Sequence, residues 1–108
     1  PSLLTADGGH KSRFHTTVAA TNPRAAFGYY EPGHYCFVLV DGRSKKHSLG
    51  LTMEELSTLM ESLGCCAAIN LDGGATAQLS WNHALINQPS GGGRRINDIL
   101  YLAPEAQP

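Results

Sequence analysis

The stretch 52–64 limits the fold more than any other part of the chain. Thr52 can cap a helix, and Glu55, three residues later, completes a capping box. Leu51 precedes the cap and Leu56 falls at the fourth helical position, so a hydrophobic staple is available. Met53, Leu56, Leu59, Met60 and Leu63 recur at helical spacing and mark one buried stripe. Gly64 stands where a left-handed stop is wanted. The spacing predicts a helix over 53–63. Met53 and Met60 read as core packing, since flexible thioethers fill cores without any cofactor.

Two apolar runs flank this helix. Tyr35-Cys36-Phe37-Val38-Leu39-Val40 is continuous and rich in β-branched and aromatic residues, which suits a strand buried on both faces. Ala67-Ala68-Ile69-Asn70-Leu71 is a second short run. Strand, helix and strand in this order read as a βαβ unit, with adjacent parallel strands and a right-handed crossover. The expected fold class is α/β (mixed α+β). A mixed β-sheet holds the unit 35–40, 53–63, 67–71, with further strands near 25–30, 75–81 and 96–102. Ser2-Leu3-Leu4-Thr5 reads as a short strand. Glu31-Pro32-Gly33-His34 reads as a hairpin turn, with Pro second and Gly after it. Asn82-His83 reads as a turn, 91–93 as a flexible loop and 103–108 as a tail. The 108 residues make one domain.

This order puts polar chemistry in one place. Asp41-Gly42-Arg43 follows the first run and Asp72-Gly73-Gly74 follows the second. Parallel neighbours would carry both turns on the same sheet edge, where open α/β sheets bind ligands. Amides in an Asp-Gly-Gly turn can form an anion-binding nest, although Asp-Gly also makes plain tight turns. Asn70 stands in an apolar strand, where a buried amide must find partners. Arg43, Arg24 and the pair Arg94-Arg95 offer planar guanidinium forks for phosphate. Ser48 and Thr76 offer hydroxyl donors. Asp41 and Asp72 would supply the two carboxylates usual in glycoside hydrolysis if their strands lie side by side.

Composition removes several alternatives. Eight Lys and Arg, scattered and balanced to a net charge of −1, do not make a nucleic-acid surface. No apolar run approaches the roughly 20 residues of a membrane span. The chain opens on Pro1-Ser2 and not on a methionine with a basic region, which reads as a processed or partial chain. Cys36, Cys65 and Cys66 have no framework spacing and read as small hydrophobes beside a strand. No CxxC or paired histidines point to zinc, so no metal and no cofactor is expected. Of His10, His15, His34, His47 and His83, most read as loop residues. His15 and His47 are acid–base candidates. No serine sits in a G-x-S-x-G elbow, and 91–93 lacks a P-loop ending.

Ordered blocks carry a resemblance. They are Pro23-Arg24-Ala25-Ala26-Phe27-Gly28, Val40-Asp41-Gly42-Arg43, Ser48-Leu49-Gly50-Leu51-Thr52 with Glu54-Glu55-Leu56, Ala68 through Gly74, Asn87-Gln88-Pro89-Ser90, and Arg95 with the segment after it. In this order they resemble the phosphodiester glycosidase domain, and the chain corresponds to its C-terminal portion. The resemblance implies a hydrolase acting on the bond between a sugar's anomeric carbon and a phosphodiester. It implies Asp72 and Asp41 as catalytic carboxylates. Arg24 and Arg43 would hold phosphate with the Gly73 and Gly74 amides, and Asn70 would orient a substrate hydroxyl or the neighbouring carboxylate. It implies a sugar-phosphate or glycan substrate, no cofactor and an extracellular or cell-envelope setting. The family's third glycine is replaced by Ala75. This departure, together with the missing upstream strands, leaves a second reading open: a non-catalytic carbohydrate- or phosphate-binding module, or a half-domain completed by a partner segment or oligomer.

Overall fold

The structure, a computed structural model, describes residues 2–14, 19–96 and 99–103. Its centre is a three-stranded sheet of β1 (Arg24–Glu31), β2 (His34–Val40) and β3 (Ala67–Leu71), with helix α1 (Met53–Ser62) between β2 and β3 in sequence. A two-stranded hairpin follows, β4 (Ser80–Trp81) and β5 (Ala84–Leu85). Single 3₁₀ turns occupy Gly74–Thr76 and Ser90–Gly92. The class is α+β.

The helix forms as its sequence predicts. The Glu55 amide donates to Thr52 Oγ1 at 3.1 Å, and the Thr52 amide donates to Glu55 Oε1 at 2.8 Å, so both halves of the capping box are present. Two donors that a helix start leaves orphaned are thereby satisfied. Met53, Leu56 and Met60 are completely buried, with Leu3 beside them. Each such side chain contributes roughly 1.5–3 kcal/mol by leaving water. Leu59 packs at the margin of this core, but Leu63 is exposed just past the last turn. Ser57 is fully buried yet satisfied: its hydroxyl donates to the Leu3 carbonyl at 2.5 Å and accepts from the Lys11 amide at 2.8 Å.

The expected adjacency of the two runs is corrected. The strand order is β2-β1-β3, and β1 pairs antiparallel with both neighbours. Pro32-Gly33 closes β1 onto β2 as a local hairpin, with Gly33 at φ +83 as the turn requires. This leaves the other edge of β1 for β3. β2 and β3 therefore run in the same direction without touching. β2 is an edge strand and only partly buried, so the expectation of burial on both faces does not hold. The residues Ser2 and Leu4 make isolated bridges to Ile69 and His10 and do not form a strand.

One sheet face, carrying Ala26, Cys36, Val38 and Ala68, packs on the helix. The other carries an aromatic ladder. Phe27 stacks on Tyr35 with ring centroids 5.4 Å apart and meets Phe37 at 5.2 Å, while Tyr29 meets Tyr35 at 5.8 Å.

The strand expected at 75–81 is reduced to its last two residues. The Asp72 turn runs on into a 3₁₀ turn, with the Ala77 amide donating to the Gly74 carbonyl at 3.1 Å. Beyond it, the Asn87 side chain stands in for a partner strand. It donates to the Ala77 carbonyl at 2.8 Å and accepts from the Leu79 amide at 2.8 Å. The strand expected at 96–102 is also absent from the described residues there, with 97–98 outside the description. Ile99, Tyr101 and Leu102 are exposed.

Candidate active site

The register fixes where the polar turns meet. Arg24 faces Val40, and Ala25 faces Leu71. The start of β1 and the ends of β2 and β3 thus share one sheet edge. Asp41-Gly42-Arg43 and Asp72-Gly73-Gly74 leave from that edge on either side of β1. Two strand spacings of about 4.8 Å separate the turns by about 10 Å, wider than the side-by-side arrangement expected from the sequence.

Asn22-Pro23 is the hub between them. A Cβ at Gly42 would lie 2.7 Å from the Pro23 nitrogen, and one at Gly73 would lie 2.6 Å from the Pro23 carbonyl oxygen. Gly50, at φ +99, would place a Cβ 2.4 Å from the Asn22 carbonyl oxygen. Two loops approach one dipeptide at three points more closely than any side chain would allow, which accounts for glycine at each position.

The two carboxylates differ sharply. Asp41 has a side chain only 14% exposed, and both of its carboxylate oxygens are engaged. His47 Nε2 lies 2.8 Å from Oδ2, Asn87 Nδ2 donates to Oδ1 at 2.9 Å, and the Gln88 amide donates to both oxygens at 3.0 and 3.1 Å. Burial raises the Asp41 pKa, but the hydrogen bonds from His47, Asn87 and Gln88 outweigh it and hold the carboxyl below its ordinary value. Asp72 is exposed, and among the described residues no hydrogen bond or ion pair holds its carboxylate.

Arg43 connects the turns. It occupies the left-handed region at φ +58, uncommon for a residue with a side chain. Its guanidinium rests on the Asp72 turn: a Cβ at Gly74 would lie 3.0 Å from Arg43 Nη2. The same nitrogen donates to Asn22 Oδ1 at 3.1 Å.

Several expected ligand groups face inward instead. Arg24 is 2% exposed, and its guanidinium donates to the carbonyls of Leu51, at 2.9 Å, and Ala20. Burial lowers its pKa. The Ser48 hydroxyl donates to the Asp41 carbonyl at 2.6 Å, and the Thr76 hydroxyl donates to the Gly73 carbonyl at 2.7 Å. The Gly74 amide donates to the Pro23 carbonyl at 3.0 Å, so it is not part of an open nest. Asn70 lies on the helix face of β3, opposite Ala26, and its buried side-chain oxygen accepts no hydrogen bond among the described residues. Arg95 is exposed beside Gln78, Gly93 and Arg94, away from these bonds.

Among the histidines, His10 pairs with Glu61, His34 with Glu31 and His47 with Asp41. His15 lies outside the described residues. No cluster of three or more potential metal ligands occurs among the described residues. Among the described residues no helix is long and apolar enough to cross a membrane. Asn87 and Gln88 escaped sequence reasoning as partners of Asp41. They stand 46 and 47 residues from it, and no local pattern announces such a pairing.

Comparison with known proteins identifies the family. Residues 1–103 match the family model described as phosphodiester glycosidase. The SPbeta prophage-derived uncharacterized protein YomE of Bacillus subtilis (strain 168) is 37% identical over 92 residues, which is 82% of this chain and 14% of that protein. A putative exported protein of Burkholderia pseudomallei K96243 superposes with a TM-score of 0.64 at 33% identity, over 69% of this chain and 15% of the other. The catalytic domain of zebrafish N-acetylglucosamine-1-phosphodiester alpha-N-acetylglucosaminidase, auto-inhibited by its pro-peptide, gives 0.59 at 29% identity, over 68% and 23%. A hypothetical protein from Synechocystis gives 0.70 at 22% identity, over 87% of this chain and 18% of that one, and shows the fold alone. The chain spans less than a quarter of the length of each of these relatives.

Proposed function

Since the chain belongs to the phosphodiester glycosidase family, we propose that it carries part of the active site of a hydrolase. The bond cleaved would join a sugar's anomeric carbon to a phosphodiester oxygen. One observation carries this reading: Asp72, a carboxylate with no partner among the described residues, and an arginine, Arg43, leave the same sheet edge, and the arginine rests on the turn that follows the carboxylate.

The chemistry follows from the leaving group. Cleavage releases a phosphate monoester, whose second ionisation lies near pH 6, about where a good leaving group should be. Protonation matters less than stabilising the developing charge, which Arg43 would do. Asp72 would meet the anomeric carbon or its attacking water. Asp41 would position the Arg43 loop by holding His47 and the 87–88 segment. Arg24, Ser48 and Thr76 would buttress the loops that present the site. Asn70 has an acceptor to offer, and Arg95 would reach an outer part of the substrate. By analogy with the exported Burkholderia relative, a secreted or envelope setting is proposed. Fractionation that finds the protein only inside the cytoplasm would refute it.

The test uses an N-acetylglucosamine phosphodiester and the intact polypeptide that contains this chain, with free sugar as the readout. Asp72→Asn is expected to lose about 10²–10⁴-fold in turnover. Unchanged turnover removes Asp72 from the mechanism. A second reading rests on the inward-facing Gly74, Ser48 and Thr76 donors: a sugar-phosphate-binding module without turnover. Calorimetric binding of a sugar phosphate by an intact protein that releases no sugar would favour it. We also propose that the chain is the C-terminal part of a longer domain. A cooperatively melting monomer of this chain alone would count against that.

A further inference from the structure

The thiols of Cys36 and Cys65 stand 3.8 Å apart on the helix face of the sheet. They come from different elements, Cys36 from edge strand β2 and Cys65 from the segment joining α1 to β3. What lets them meet is the residue between them. Gly28, on the middle strand, is the register partner of both Cys36 and Ala68. A Cβ there would lie 2.6 Å from Cys65 Sγ, 2.8 Å from Cys36 Sγ and 2.8 Å from Met60 Cε. The two sulfurs therefore occupy the space that any other side chain on β1 would fill.

We propose that Cys36 and Cys65 form a modification site, a cystine that staples β2, over Gly28 of β1, to the segment joining α1 to β3. A disulfide needs the sulfurs about 2.05 Å apart, so each moves by about 1 Å. Cys65 is 4% exposed, and burial first, then the Cys36 thiol, pushes its pKa up. Interaction with the Cys36 thiol, first among its causes, pushes the Tyr30 hydroxyl up to about 12. Cys36 is the more accessible of the two and is the entry point.

The reaction needs a small disulfide as oxidant, for example oxidised glutathione. The Cys36 thiolate attacks one glutathione sulfur and expels the first glutathione, which takes up the Cys36 proton. Cys65 then loses its proton, attacks the Cys36 sulfur and expels the second glutathione. Two protein thiols become one disulfide, and one glutathione disulfide becomes two thiols. The staple lies four residues back from the site edge along β2, about 13 Å away at strand rise. It should therefore stiffen the sheet and leave ligand chemistry alone.

The experiment uses the Cys66→Ser variant, because Cys66 is exposed and would otherwise compete. The folded protein is equilibrated with oxidised glutathione, alkylated in denaturant and mapped by peptide mass spectrometry. A Cys36–Cys65 linked peptide is expected, with a melting temperature about 10 °C higher that falls back on reduction. Cys36→Ser and Cys65→Ser variants, each combined with Cys66→Ser, should show no rise. Full alkylation of both thiols, or a linked peptide with no change in melting, overturns the proposal.

Discussion

The two Asp-Gly turns leave the same sheet edge and back onto the same proline, yet their carboxylates live differently. Asp41 has its oxygens engaged by a histidine, an asparagine and a backbone amide. Asp72 is exposed with neither oxygen engaged among the described residues. The sequence motifs are nearly alike. What separates them is what lies beyond each turn. The Asp41 turn opens a loop that folds back, with the Ser44 amide donating to the Ser48 carbonyl at 3.0 Å, and so delivers His47 to the carboxylate. The Asp72 turn enters a single 3₁₀ turn whose hydrogen bonds, within 73–77 and from the Gly74 amide to the Pro23 carbonyl, bring no donor to the carboxylate. A carboxylate held by three groups organises structure, and a free one is available for a substrate.

The largest test of that division is to remove the carboxylate's charge at each position. Asp72→Asn is expected to lose about 10²–10⁴-fold in turnover of a sugar phosphodiester with an unchanged melting temperature. Asp41→Ala is expected to lose about 1–3 kcal/mol of stability, because His47, Asn87 and the Gln88 amide are left without their acceptor. Denaturant melts beside turnover assays separate the two. If Asp72→Asn unfolds the chain while Asp41→Ala leaves it intact, the assignment of roles is reversed.

Next in size are the glycines behind the turns. Gly42→Ala and Gly73→Ala each force a methyl to within 2.7 and 2.6 Å of Pro23 backbone atoms. Rigid backbone cannot yield as a side-chain tip would, so each costs about 1–3 kcal/mol. Turnover should suffer more from Gly73→Ala, which displaces the free carboxylate and the seat of Arg43. Equal loss of turnover in both variants would show that the two turns serve the site alike.

Acid should distinguish the turns as well. The folded Asp41 carboxyl is held below its unfolded value of about 3.9. Its stabilisation is complete above that value and is lost as pH falls through the folded pKa. Melting temperature should therefore drop below about pH 4, and Asp41→Asn should flatten part of that drop. An identical acid profile in the variant would mean that other carboxylates set it.

How much of this was readable in advance depended on the range of the interactions. The helix is announced by residues within one turn of each other, Thr52, Glu55 and the Met53, Leu56, Met60 stripe, and it formed over Met53–Ser62. The hairpin turn at Pro32-Gly33 is equally local. The shared edge for Asp41 and Asp72 was legible because β2 and β3 do run in the same direction. The insertion of β1 between them was not, since periodicity says nothing about which strands pair. The same limit hid Asn87. A side chain that replaces a strand partner for 77–79 leaves an apolar pattern that reads as a strand. Arg24 followed the motif but sits beneath the turns, because the carbonyls of Leu51 and Ala20 converge on it.

The smallest expected effect is at the helix cap, which touches neither turn directly. Thr52→Ala removes one half of the capping box and costs about 1 kcal/mol. Its neighbour Leu51 exchanges backbone hydrogen bonds with Asn22 at 3.0 and 3.1 Å and accepts from Arg24. Loosening the helix start therefore strains the Asn22-Pro23 hub from behind, equally for both turns. The melting temperature should fall by a few degrees, and turnover measured well below melting should stay as it was. A selective loss of turnover would mean that the hub transmits strain to the Asp72 side alone. The two turns would then be unequal in their support as well as in their carboxylates.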